Sequence, residues 1–357
     1  MRRLPKYHFD HFREQHPGIS AVWQLVDRGD LASADLLLWQ AMGVTSDIPS
    51  IQSQLGYRHF GMQSYCIGPG LQHMLSETSI KGIASSDIKV PFPTFYLALE
   101  DSPFELWGGP GCRWTPVHGM YVSLNNPIFG DQNHLMVYMV SLVKRHCASF
   151  WYTINLDHAG DDLPGAMNTV LNGSIMNPDD ENAAAAKKML AEYEGKEGVK
   201  RNKQNAHNAL AFLVNFLLYI TSQDAELRKE PRSYALYNNI MAKIRKAESR
   251  GHHHKVHDLE MRLTAKKKPH VTWVAERTEK RLRDKGIIVN GESGRSQLTR
   301  FWRKGHWHHY WVGPKRDEFG NEQLGDRRIL KWVEPCVVNA DRAASVTKRV
   351  RRISEPA

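Results

Sequence analysis

The segment that most constrains the fold is an apolar run from Ala209 to Ile220, which reads ALAFLVNFLLYI. This run is too short to cross a bilayer, which takes about 20 apolar residues. A helix that is apolar on every side has to be covered on every side by the rest of the chain. The sequence therefore predicts a buried helix at the centre of a water-soluble protein.

The compartment follows from two further features. The charged N-terminus lacks the apolar region of a signal peptide. The four cysteines, which lie far apart and form no CxxC pair, are typical of a reducing compartment. We expect a cytoplasmic protein without membrane contact, disulfides, metal or cofactor.

Helices and strands are both expected around the central helix. Residues 10–45 carry apolar residues at helical spacing, with Asp30 or Ser33 available as an N-cap. Segments rich in strand-favouring residues follow, with loops between them. These strand candidates are Thr94–Leu99, Gly119–Leu124, His134–Val143 and Ser149–Leu156. The pattern predicts an α+β fold with an antiparallel or mixed sheet, and antiparallel pairing is preferred.

The rest of the sequence, after the last strand candidate, predicts a helical middle part and a small β-rich C-terminal part. Residues 180–194 favour a helix, 196–204 a solvated linker, and 205–222 and 234–250 two more helices. We expect four parts, which are an α+β partner-recognition domain, a helical and basic linker, a basic module rich in aromatic residues and histidine, and a basic tail. Their predicted ranges are 1–225, 226–270, 271–345 and 346–357.

Charge is distributed unevenly along the 357 residues. The net charge is +10, but residues 241–357 hold 28 Lys and Arg against 14 Asp and Glu, a net of +14. The first 240 residues therefore carry 20 basic and 24 acidic side chains, a net of −4. We call residues 1–240 the acidic front and residues 241–357 the basic back. This difference in charge indicates two tasks, one of them involving a polyanion.

The densest group of functional residues is Phe301–Arg316, which reads FWRKGHWHHYWVGPKR. Alternation in a strand places His306, His308 and Tyr310 on one face. Trp307, His309 and Trp311 lie on the other face. The segment RRILKWVEP, which begins at Arg327, alternates in the same way. The sequence therefore predicts a β-hairpin with a long polar connection.

Such a hairpin suits RNA, because aromatic rings stack on unpaired bases while Lys and Arg neutralise phosphates. The predicted RNA-binding residues are Arg303, Lys304, His306, Trp307, His308, His309, Tyr310, Trp311, Lys315, Arg316, Arg327, Arg328 and Lys331.

Other interpretations of the same hairpin remain open. The tryptophans are also suited to the core of a small β-module, and an HxH pair can bind metal. His306 and His308 could act as general base and acid in a metal-independent ribonuclease, with Lys315 or Arg316 stabilising the phosphorane. We favour a binding protein over an enzyme; an enzyme would be a ribonuclease.

Three weaker patterns lie elsewhere. Asp101, Glu105, Trp107 and Trp114 occupy predicted loops and are candidates for a partner pocket. The His252–His257 segment is interpreted as an exposed turn rather than a zinc pair, because it lacks an HExxH signature. Residues 273–301 resemble the end of a helix-turn-helix, which gives a DNA-binding repressor as a third functional alternative.

The C-terminal motif resembles the closing signature of a family of type V-A anti-CRISPR proteins. Val90–Asp101 and Asn208–Ser222 are similar to further blocks of that family. Val312 departs from the pattern, where the family has threonine, and the loop 317–326 is longer. The residues that match the signature are Arg303, His306, Trp307, His308, Tyr310, Trp311, Gly313, Trp332, Pro335, Val338 and Asn339.

The resemblance implies a protein of a phage, plasmid or other mobile genetic element that acts in the bacterial cytoplasm. It implies recognition of the nascent type V-A CRISPR effector polypeptide and a fall in the effector's messenger RNA. Combined with the charge distribution, it suggests that the acidic front reads the peptide while the basic back contacts RNA or the ribosome.

Overall fold

The chain is represented by a computed structural model. It describes residues 19–27, 30–42, 48–100, 102–107, 114–124, 134–143, 146–159, 163–165, 167, 181–252, 254–256, 258–259, 269–284, 301–303, 305–312, 327–333 and 336–338.

A mixed sheet of seven strands lies at the centre of this described part, in the order β7-β6-β5-β2-β1-β9-β8. Strands β1, β2 and β9 are parallel neighbours, and the remaining pairs of this sheet are antiparallel. Three two-stranded ribbons, β3-β4, β10-β13 and β11-β12, lie outside it. The strands are β1 Gln63–Ile67, β2 Thr94–Leu99, β3 Glu105–Trp107, β4 Trp114–Pro116, β5 Gly119–Leu124, β6 His134–Val143, β7 His146–Asn155, β8 Leu227–Lys229, β9 His270–Val274, β10 Phe301–Arg303, β11 His306–Val312, β12 Arg327–Val333 and β13 Cys336–Val338.

Helices cover both faces of the sheet. The helices are α1 Ile19–Asp27, α2 Leu31–Met42, α3 Ile48–His59, α4 Pro69–Ser76, α5 Leu156–Ala159, α6 Glu181–Thr221, α7 Pro231–Glu248 and α8 Glu276–Asp284. The apolar run 209–220 forms the end of α6, where it packs with α4 against alternate side chains of β1, β2, β5 and β6. Tyr57 of α3 packs on the opposite face among Tyr96, Tyr121 and Tyr138. The predicted buried central helix is confirmed.

The α+β fold class is confirmed, and three predicted strands have the bounds that the sequence indicates. The fourth begins earlier than predicted, at His146. Asp30 is the cap of α2, where its Oδ1 accepts the backbone N–H of Ser33 at 3.1 Å. The four predicted strands form an antiparallel run, β2-β5-β6-β7. The sheet is mixed because β1, which the sequence did not indicate, pairs in parallel with both of its neighbours.

The predicted linker 196–204 is wrong, because these residues are helical and belong to α6. Gly195 has φ +68° and ψ −170° and marks a kink there. The charged residues of the segment are exposed, as a solvated segment requires, but Asn202 and the adjoining Asn205 bind β3. Asn202 Oδ1 accepts the backbone N–H of Trp107 at 3.0 Å, and Asn205 Nδ2 donates to the carbonyl of Glu105 at 2.8 Å.

The chain returns to the main sheet after residue 226. Strand β9 pairs with β1 over its full length, and β8 pairs with β9. The predicted boundaries at 225 and 270 therefore cut through one sheet, and residues 346–357 lie outside the described ranges. Within those ranges, no helix combines the length and the apolar character needed to span a membrane.

Candidate nucleic-acid interface

The predicted hairpin is formed by β11 and β12. Its strands are antiparallel, with Trp307 opposite Trp332, His308 opposite Lys331 and Tyr310 opposite Ile329. The predicted alternation of its faces agrees with burial, because Trp307 is buried while His308 and Tyr310 are exposed.

The inner face of the hairpin is anchored on α6. Trp307 is 9% exposed, and its ring centroid lies 6.4 Å from that of Trp332. Trp332 meets Tyr219 edge-to-face at 5.4 Å between centroids. Trp307 is thus a core residue with its ring turned away from solvent. Trp307 is therefore not available to stack on RNA, although the sequence included it among the predicted RNA-binding residues.

A buried amide fixes this anchor. Asn215 is fully buried, and its Oδ1 accepts a hydrogen bond of 2.8 Å from Nε1 of Trp307. Its Nδ2 donates to the carbonyls of Leu75 and Thr78 at 2.9 and 2.8 Å. A buried polar group is tolerated in a core when it is hydrogen-bonded in this way. One side chain therefore joins α6, the end of α4 and the hairpin.

The outer face presents a small polar and aromatic surface. Tyr310 is 42% exposed, and its ring lies edge-on to that of His308 with centroids 4.6 Å apart. Lys331 is exposed on the paired strand, directly across from His308. An aromatic ring beside an ammonium group can stack on a base and contact the adjoining phosphate. We call His308, Tyr310 and Lys331 the outer triad.

Two further histidines of the hairpin are partly buried against the neighbouring loop. His309 Nε2 lies 3.5 Å from Oδ2 of Asp87, which is an ion pair when the imidazole is protonated. The same Asp87 oxygen accepts the backbone N–H of Ala84 at 3.0 Å. The backbone of His306 forms an isolated parallel bridge with Ser79. These contacts dock the edge of β11 on the loop that precedes β2.

The remaining predicted RNA-binding residues are only partly located. Arg303, Trp311, Arg327 and Arg328 are placed by their backbones in strands β10 to β12, and their side chains lie outside what is described. Lys304, Lys315 and Arg316 lie outside the described residues altogether.

The predicted partner pocket is a packed cluster at the middle of α6. The Arg201 guanidinium lies 4.1 Å from the Trp114 ring centroid, and its Nη2 pairs with Oε2 of Glu105 at 3.0 Å. Trp107 is buried beside Tyr193, which is 65% exposed. Asp101 lies outside the described residues. Glu105, Trp107 and Trp114 are thus brought together, but they are engaged with the helix.

A cleft that the sequence does not reveal lies beside the hairpin. Its volume is about 630 Å³, within the usual range of ligand sites. Its walls come from the loop 86–89, the end of α6 with the following turn at 218–226, and residues 329–332 of β12. These segments are far apart in sequence and carry no shared motif, so only the fold brings them together.

The structure of residues 273–284 differs from the predicted helix-turn-helix. Trp273 and Val274 belong to β9 of the central sheet, and α8 packs on α4 with Glu279 buried. Residues 285–300 of that prediction lie outside the described ranges. His252 and His254 are exposed, whereas His253 and His257 are outside the described residues. Among the residues that are described, no three His, Cys, Asp or Glu side chains form a group suited to a metal ion.

Comparison with known proteins places the chain in a family. A solved structure described as "Crystal structure of AcrVA2" is similar over 95% of this chain and 100% of that chain, with 11% identity and a TM-score of 0.48. No curated protein matches. The sequence profile of the AcrVA2-like family, described as the anti-CRISPR type V subtype A2 family, matches residues 65–340. Since this match spans most of the chain, the protein belongs to the AcrVA2-like anti-CRISPR family.

Proposed function

We propose that this anti-CRISPR protein lowers the production of a type V-A effector by binding two things, the nascent effector polypeptide and RNA or the ribosome. Family membership supplies the inhibitory role and the type of target. The two binding activities and the fall in messenger RNA are the part that we add.

The observation that supports contact with RNA is the outer triad. His308, Tyr310 and Lys331 share the exposed face of a hairpin whose inner face is fixed by Asn215 and Trp307. The hairpin belongs to the C-terminal third of the chain, residues 241–357, which has a net charge of +14. A rigid aromatic and basic surface of this kind binds single strands without strict sequence preference. RNA that is being translated offers such strands.

The experiment is co-expression with a type V-A effector gene, followed by measurement of the effector's messenger RNA and protein. We expect both to fall. Recoding the first codons of the effector, so that its peptide changes while its expression is retained, is expected to abolish the fall. A fall that persists with the changed peptide would contradict recognition of the nascent chain, and no fall with the native gene would contradict the proposal as a whole.

A ribonuclease is the second candidate, because His306 and His308 lie two residues apart on one strand and so share a face. Replacing both with glutamine separates the two functions. General acid–base catalysis would fall by about 10²- to 10⁴-fold, whereas phosphate-driven binding changes little. Because His308 belongs to the outer triad, we expect the double variant to lose RNA affinity by less than about tenfold and to keep its effect on the messenger. A fall in RNA cleavage of about 10²-fold or more with only this small change in affinity, measured with purified protein in a chelator, would favour the enzyme.

A further inference from the structure

The cleft beside the hairpin has a rim whose charge differs from that of the outer triad. Three carboxylates, Asp87, Asp224 and Glu226, line it together with Lys89 and with Lys331, which the cleft shares with the outer triad. The basic C-terminal third of the chain thus borders a rim with three negative and two positive side chains. This excess of negative charge favours a cationic group over a phosphate.

The three carboxylates are not equally available. Glu226 accepts hydrogen bonds from the backbone N–H and the Oγ1 of Thr278, at 3.1 and 2.9 Å, near the start of α8. Asp87 faces His309 and the backbone of Ala84. Asp224 is exposed, and no hydrogen bond or ion pair engages it among the residues that the structure describes. Asp224 is therefore the carboxylate that is most available to a bound cation.

The floor of the cleft is apolar and aromatic. Leu218 and Tyr219 come from the end of α6, and Leu330 and Trp332 come from β12. The floor thus suits an apolar side chain.

We propose that this cleft binds a short extended peptide in which a lysine or arginine lies next to an apolar residue. The cation would pair with Asp224, the apolar side chain would contact Tyr219 and Trp332, and the volume would hold a few residues rather than a folded domain. The inference rests on the proposed function, because the peptide would be part of the nascent effector. It places protein recognition where the acidic front, through Asp87, Asp224 and Glu226, meets β12, beside the RNA-binding face.

The test uses the full-length chain and short fluorescein-labelled peptides that overlap along the N-terminal part of a type V-A effector. Binding is measured by fluorescence anisotropy. We expect the peptides with a basic residue beside an apolar one to bind, and Asp224→Lys to weaken them by about tenfold or more. Glu197→Lys, an equal charge change at an exposed position of α6 away from the cleft, is expected to leave affinity within about twofold.

Three outcomes would overturn the inference. The first is that no peptide binds, and the second is that Asp224→Lys and Glu197→Lys affect peptide binding equally. The third is that single-stranded RNA displaces the peptides and binds more tightly to Asp224→Lys, which would make the cleft a nucleic-acid site. If the effector's messenger RNA falls with the native gene but one of these outcomes is found, the peptide-binding role of the cleft is contradicted and the proposed function stands. If Asp224-dependent peptide binding is found but the messenger RNA does not fall, the proposed function is contradicted and the binding site in the cleft stands.

Discussion

The indole of Trp307 donates to the side chain of Asn215, which is fully buried in α6 and also holds the carbonyls of Leu75 and Thr78. This contact joins the C-terminal hairpin to the core between α6 and the central sheet. The surface proposed to bind RNA is therefore positioned by a residue more than ninety positions earlier in the chain.

Replacing Asn215 with alanine is expected to destabilise the whole protein. The substitution removes the acceptor of the buried Trp307 N–H, the side-chain donor to the carbonyl of Thr78 and one of the donors to the carbonyl of Leu75, which keeps the backbone N–H of Thr78. We expect the free energy of unfolding to fall by about 3 kcal/mol. Urea unfolding followed by tryptophan fluorescence measures the change. Asn208→Ala is the control, because Asn208 is exposed on the same helix and should change stability by less than about 0.5 kcal/mol. Equal midpoints for the two variants would contradict the anchoring role.

Tyr310→Ala and Lys331→Glu test the outer triad. Both side chains are exposed, so their replacement should leave the unfolding midpoint nearly unchanged. Loss of one stacked base is expected to reduce affinity for single-stranded RNA by about tenfold, and the charge reversal should also flatten the dependence on salt. Filter binding at several salt concentrations provides the measurement. Lys200→Glu, an exposed reversal on α6, serves as the matched control and should have little effect.

Gly68 is expected to resist substitution because of Glu279. A Cβ at Gly68 would lie 2.7 Å from the carboxyl carbon of Glu279, whose Oε2 accepts the backbone N–H of Gly70 at 3.0 Å at the start of α4. We expect Gly68→Ala to cost about 1–3 kcal/mol. In a chain that already carries Glu279→Ala the same change should cost much less, since the clash is gone. Additive effects of the two substitutions would show that they do not interact.

Acid is expected to destabilise the fold through His207. Burial lowers the pKa of His207 from its ordinary value of 6.5, and its Nδ1 is buried with no partner in the described residues. The unfolded chain therefore binds a proton at a higher pH than the folded chain does. Stability from this group is complete above about pH 6.5 and declines as the pH falls toward the folded pKa.

Thermal melts across that range measure the effect. His207→Gln should lose less stability than the native chain between about pH 7 and pH 5, because it has no imidazole to protonate. His254→Gln, at an exposed histidine, should follow the native curve. Identical curves for all three proteins would assign the acid sensitivity to other groups.

Local patterns were the part of this fold that the sequence could predict. Alternation was sufficient to assign the faces of β11, because Trp307 and His308 differ in burial as neighbours on a strand must. Composition misled at 196–204, because these residues are helical and Asn202, like Asn205 just beyond them, binds the backbone of β3. The identity of a polar residue does not show whether it will hydrogen-bond to water or to another part of the chain.

Long-range pairing was the part that could not be predicted. Strand β1 was missed, and its pairing with β9 joins segments about two hundred residues apart. The cleft depends on the same kind of convergence, since Asp87, Asp224 and Trp332 meet only when three distant segments are in place. The predicted pocket had the opposite outcome. Its residues Glu105, Trp107 and Trp114 do meet, but they are packed against α6 by Arg201 and Asn202.

The parallel pairing of β1 with β9 also determines when the molecule can be completed during its own synthesis. While a ribosome is still translating the chain, β1 has β2 on one side and nothing on the other until residue 274 has emerged. An incomplete chain therefore presents an unpaired strand edge, the kind of edge that promotes aggregation. Cutting the gene at a boundary such as 225 or 270 would make that transient state permanent.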